Sequence, residues 1–137
     1  MRAANLELPA VAAAPKDWTY PDLAMLADAL DRFPQQTRKI LMFVPYHLAM
    51  IASAEAWSKY TYCKSAVVSL ARARHNVVVI DFMRPSALTR NDQAYWDSLH
   101  YRVGFAPAII DALREAVVSG QGSGALYGVL WPPASAK

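Results

Sequence analysis

Asn76-Val77-Val78-Val79-Ile80-Asp81-Phe82 is a nearly unbroken apolar run rich in β-branched residues, and its reading decides the fold class. Side chains along a strand alternate between two faces, so a run that is apolar at almost every position describes a strand covered on both. Upstream, Lys39-Ile40-Leu41-Met42-Phe43-Val44-Pro45 has the same character and stops at a proline. Between the two lie residues 48–73, mostly helix formers, with Ile51, Val67 and Leu70 among the expected core positions. A division into two helices is expected in the weaker region from Ser58 to Tyr62. Strand, helix, strand in this order implies a right-handed parallel crossover.

Working outward, Thr19-Tyr20-Pro21-Asp22 has the form of a capping box, a hydroxyl three residues before a carboxylate. Leu23, Leu26, Leu30 and Phe33 follow at helical spacing and predict a helix over 21–33, which Pro34 ends. A final amphipathic helix is expected over 104–119 through Ile109, Ile110, Leu113 and Val117. Pro107 is tolerated in its first turn, and Gly120 is placed to terminate it. Residues 1–18 read as an irregular lead-in, 19–120 as one α/β unit, and 121–137 as a flexible tail. Two strands are too few for a parallel sheet, so further strands are expected from outside this unit or from another chain. An unpaired strand edge would then favour self-association.

The hydrophobic fraction of 55% against 18% charged residues describes a packed chain and excludes intrinsic disorder. The net charge of +3 is spread over scattered positions (Arg38-Lys39, Lys59, Lys64, Arg72, Arg74, Arg84, Arg90), so no nucleic-acid partner is expected. Cys63 is the single cysteine, which excludes an internal disulfide and a multi-cysteine zinc site, and its helical setting suits a small buried apolar residue. Met1 to Ala14 is interrupted by Glu7 and Pro9 and does not form the apolar core of a signal peptide. The longest apolar run, Ile40 to Ala54, contains Pro45 and His47 and falls short of the roughly 20 residues that span a bilayer. No membrane segment is expected.

The chemistry concentrates in Tyr95-Trp96-Asp97-Ser98-Leu99-His100-Tyr101-Arg102, an Asp-x-x-His pair set among aromatics. A carboxylate that holds one imidazole nitrogen leaves the other free to take a proton from a hydroxyl, which is two thirds of a Ser-His-Asp apparatus. No serine lies where an activated nucleophile is expected; Gly122-Ser123-Gly124 follows the last helix with no strand before it. In open α/β sheets ligands bind beyond the carboxyl ends of the strands. Tyr46 and His47 follow the first strand, Asp81 closes the second, and the loop from Arg84 to Leu99 carries Asp97 and His100 across the same edge. Here His47 is expected to wall the cleft, with Tyr46, Trp96 and Tyr101 as further substrate-binding residues. Asp81 is expected to orient a loop, and His75 to sit at a helix end beside Arg72 and Arg74. No metal-ligand spacing and no glycine-rich phosphate loop is present, so neither metal nor cofactor is expected.

The order of the Val77–Phe82 strand, the Tyr95–Arg102 block and a helix through Ala108-Ile109-Ile110 resembles the end of an SGNH/GDSL-type hydrolase domain. The bacterial envelope-associated members are the most similar, with a last block reading roughly Tyr-Trp-Asp-Ser-x-His-Tyr. Phe43-Val44-Pro45-Tyr46-His47 is similar to their strand-end Pro-x-His segment, and Trp57-Ser58-Lys59 to an aromatic, basic helix. The resemblance spans roughly residues 38 to 118. It implies a partial three-layer, flavodoxin-like parallel sheet with flanking helices whose N-terminal half lies outside these residues. It also implies His100 as general base, Asp97 as its orienter, and a serine from a Gly-Asp-Ser block elsewhere. The implied function is ester hydrolysis or acyl transfer on an ester or acylated carbohydrate or lipid, inactive in this chain alone, in the cell envelope or periplasm. The alternative is a non-catalytic α/β interaction or structural module that lacks a nucleophile.

Overall fold

A computed structural model describes residues 6–14 and 18–132. Its elements run α1 (Asp22–Asp31), β1 (Lys39–Phe43), α2 (Leu48–Ile51), α3 (Ala54–Arg72), β2 (Val77–Asp81), α4 (Ala106–Ser119) and β3 (Gly128–Trp131). The result is a mixed α/β fold in which helices flank a three-stranded sheet of order β1-β2-β3. As the apolar run requires, β2 is central and buried at all five positions. Val77 and Val79 meet Val67 and Ala71 of α3, with Leu23 and Leu26 of α1 packed alongside. On the opposite face Val78, Ile80 and Phe82 meet Ile109, Ala112 and Ala116 of α4.

The β1–β2 pair is parallel, Lys39 opposite Val77 and Phe43 opposite Asp81. Two expectations about the sheet are corrected. The sheet is not purely parallel, because β3 pairs antiparallel with β2. And the segment expected to be a flexible tail supplies that strand; residues 133–137 lie outside the described residues. A four-residue strand gives no readable period, and the flanking glycines and serine mask it. Gly120 ends α4 in the left-handed region at φ 67°, Ser123 accepts from the Leu126 N–H at 2.9 Å, and Tyr127 is buried against Phe82.

Local expectations change in three more places. β1 is covered on one face only: Ile40 and Met42 are 44% and 37% exposed, because α4 sits over β2 and does not reach the sheet edge. The helical stretch divides at Ala52-Ser53, where Ser53 caps α3 by accepting from Ala56 N–H at 3.1 Å. The region from Ser58 to Tyr62 stays helical, with the Thr61 hydroxyl donating back to the i−4 carbonyl of Trp57. At α1 no side-chain cap forms; Pro21 sits at the cap position and the capping-box bond from Thr19 is not made. Within the described part of the lead-in, Leu6 and Leu8 pack against Leu48, Ile51 and Met83.

Asp81 does more than turn a loop. Lys64 of α3 reaches it at 2.8 Å (Nζ to Oδ2) and also donates to the Met83 carbonyl. Both side chains are 9% exposed. The rings of Phe43 and Trp57 lie 5.7 and 5.4 Å from the ammonium. Burial pushes the Asp81 carboxyl up and the Lys64 ammonium down, each opposed by the charge of its partner. Removing one member strands the other without its counter-charge. Lys64→Met or Asp81→Asn alone is therefore expected to cost about 3–5 kcal/mol in urea unfolding, and the neutral double variant much less than the two singles summed.

Candidate active site

Residues 94–102 form a miniature hairpin. Tyr95 and Tyr101 bridge antiparallel, Trp96 N–H donates to the His100 carbonyl at 2.9 Å, and Arg102 N–H to the Ala94 carbonyl at 2.7 Å. Asp97 opens the tip, and its Oδ1 accepts the backbone N–H groups of Leu99 and His100 at 2.8 and 2.9 Å. This is the Asx geometry that a short acidic side chain favours. It folds the chain back so that His100 Nδ1 lies 2.9 and 2.8 Å from the two carboxylate oxygens of Asp97.

With a carboxylate acceptor, Nδ1 carries the proton and Nε2 presents its lone pair outward. No hydroxyl or thiol among the described residues is hydrogen-bonded to Nε2. The His100 hydrogen bond, followed by the two backbone N–H groups, lowers the Asp97 carboxyl to about 2. The pair lies in the open, the His100 and Asp97 side chains being 71% and 58% exposed.

The hairpin is stitched to the carboxyl end of β1, the edge at which topology places a site. His47 N–H donates to the Ser98 carbonyl at 2.9 Å, and the Tyr95 hydroxyl to the Pro45 carbonyl at 2.8 Å. Desolvation raises the Tyr95 hydroxyl well above its ordinary value, so it stays a donor. His47 is buried and uses both ring nitrogens: Nδ1 accepts from Ala49 N–H at 3.3 Å while Nε2 donates to Asp92 at 3.0 Å. A ring so committed at both nitrogens is a structural pin with no lone pair to offer as base. Sequence reasoning did not single out Asp92, whose partner lies 45 residues away.

Two hollows flank Trp96. The first, about 280 Å³, is lined by His47, Asp92, Tyr95, Trp96, Asp97 and Ser98. The second, about 470 Å³, is lined by Trp96, Leu99, His100, Tyr101, Val103 and Ala106. The Arg102 guanidinium lies 3.9 Å from the Trp96 ring centroid and donates to the Tyr95 carbonyl at 3.2 Å, fixing the shared wall. His47, Trp96 and Tyr101 thus border these spaces. Tyr46 does not. It packs edge-on to Tyr60, ring centroids 6.3 Å apart, beside the Leu48–Ile51–Met83 cluster. His75 is exposed near the end of α3, its carbonyl accepting from Lys39 Nζ.

The sign of the pH response follows from Asp97. Its carboxyl is lower folded than unfolded, so its contribution to the turn is present above the usual carboxylate value of about 3.9 and lost as pH falls through about 2. Carbon-detected NMR is expected to place the Asp97 titration near pH 2, with the Leu99 and His100 amides reporting the same midpoint. A midpoint at the usual value would contradict the geometry. No helix among the described residues is long and apolar enough to cross a membrane. Compared with known proteins, the chain matches no family model, no curated protein and no solved structure.

Proposed function

We propose that this chain is the carboxy-terminal portion of an SGNH-like serine esterase or acyltransferase and supplies its base and orienter. The reading rests on the Asp97–His100 pair, in a hairpin joined to the carboxyl end of β1, with Nδ1 on the carboxylate and the imidazole 71% exposed. A serine hydroxyl from beyond these residues donates to Nε2 and gives up its proton as its oxygen attacks the ester carbonyl. Asp97 stabilises the resulting imidazolium. His100 then returns the proton to the departing alkoxide. Water or a sugar hydroxyl enters by the same route in reverse, so hydrolysis and acyl transfer share one apparatus. In the assembly that includes the Gly-Asp-Ser segment, His100→Ala is expected to lower kcat for an alkyl ester at least about 1000-fold. A loss of less than tenfold overturns the base assignment.

A second reading, an interaction module without catalysis, draws support from the edge of β1. Lys39 N–H donates to the Asn76 carbonyl and the Phe43 carbonyl accepts from Phe82 N–H, so alternation turns the backbone groups of Ile40 and Met42 outward. These are also the two residues with uncovered apolar side chains. On this reading the chain self-associates through that edge, and Met42→Lys is expected to lower the mass found by light scattering. A monomer at every concentration, with Met42→Lys unchanged, removes the reading.

A further inference from the structure

The hollow on the His100 side of Trp96 has no part in fixing the dyad, yet it is walled by exposed apolar groups. Trp96 is 72% exposed and Val103 85%, and Leu99 is also open to solvent. Among the described residues that line it, His100 carries the one strongly nucleophilic group, its imidazole. We propose that His100 is itself an acyl-accepting nucleophile, taking acyl groups from donors with a stabilised leaving group and seating the acyl chain between Trp96 and Val103. The inference rests on the dyad assignment above but needs no serine.

Three features carry it. First, Asp97 fixes the tautomer, so the Nε2 lone pair faces outward without a competing partner among the described residues. Second, about 470 Å³ accommodates a short aliphatic acyl chain, with Trp96, on which the Arg102 guanidinium stacks at 3.9 Å, as one wall. Third, leaving-group chemistry defines the substrate class. In the tetrahedral adduct the imidazole competes with the other group to depart. A phenolate or thiolate about as weakly basic as imidazole, such as p-nitrophenolate, competes with it, and an alkoxide does not.

The steps balance without another reagent. The Nε2 lone pair forms a bond to the carbonyl carbon, and the bond to the leaving oxygen or sulfur breaks with its electron pair. The Nδ1 proton of the cationic acyl-imidazole, held by Asp97, passes through water to the departed phenolate or thiolate. A water molecule then attacks the acyl carbon, its oxygen and one proton leave in the carboxylic acid as the C–N bond breaks, and its other proton returns to Nδ1, restoring the Nε2 lone pair. Net, one ester and one water become one acid and one phenol or thiol. His100 is the catalytic residue in this scheme and Asp97 a positioning residue.

The test uses the 137-residue chain with p-nitrophenyl acetate, butyrate and hexanoate, and with ethyl hexanoate. N-acetylhistidine at equal concentration supplies the reference rate. The expected aryl-ester rate is at least about 30-fold above that reference, rising roughly twofold to fourfold per added methylene as apolar surface is covered. Ethyl hexanoate is not turned over. His100→Ala removes the excess, and acid-quenched mass spectrometry finds the acyl mass on His100. Val103→Asp flattens the chain-length dependence. Asp97→Asn lowers the rate and shifts the imidazole ¹⁵N signals away from the Nδ1–H tautomer, a change that loss of packing alone would not produce.

A rate equal to that of N-acetylhistidine, or one unchanged by His100→Ala, overturns the inference, as does an adduct confined to His47 or His75. Failure here and failure of the proposed function are separable. Alkyl-ester turnover in the serine-bearing assembly that depends on His100, without aryl-ester reactivity of the chain alone, would leave only the base role standing. The converse result would leave only the nucleophile.

Discussion

The structure depends on burying β2 on both faces at once. Val77 to Asp81 offers no polar side to water except at its last residue, so the strand forces layers above and below it and a neighbour on either edge. α3 and α1 cover one face and α4 the other, and the chain returns through β3 to close the second edge. The one charge on β2 lies where the strand leaves the core. There Lys64 meets it from α3, joining sheet to helix by a contact whose desolvation must be offset by pairing.

The same burial sets where chemistry can lie. Because β2 is inaccessible along its length, polar groups gather beyond its carboxyl end and that of β1. Pro45, His47 and Leu48 receive the following loop through Tyr95, Ser98, Asp92 and Thr89. One histidine is consumed in this stitching and the other is released by it. Asp92 and Asp97 treat their imidazoles in opposite ways: His47 is held through Nε2 and buried, while His100 is held through Nδ1 and exposed. Two His–carboxylate pairs of similar composition thus stand in different settings, one buried between loop and helix and one open to solvent.

Much of this was legible in the sequence because the relevant signals are local. β2 is apolar at every face, α4 has its proline and glycine at the correct ends, and Asp97 and His100 are close enough to meet across one turn. What escaped depends on partners distant in sequence. β3 is too short to show a period and is a strand only because β2 needs a second neighbour. The exposure of Ile40 and Met42 reflects where α4 lies, which the β1 residues do not encode. Lys64 reads as one more cation on a helix until the fold brings Asp81 to it. Tyr46 and His47 are adjacent in the chain, yet Tyr46 packs on Tyr60 and His47 on Tyr95.

The hydrogen bonds that shape the Asp97–His100 tip, from the Ala94 carbonyl to the Arg102 amide, close within nine residues. The geometry is therefore portable. A short antiparallel ribbon of unrelated origin, given this nonapeptide at its bend, would inherit an imidazole already oriented by its carboxylate. Only the walls around it would remain to be built.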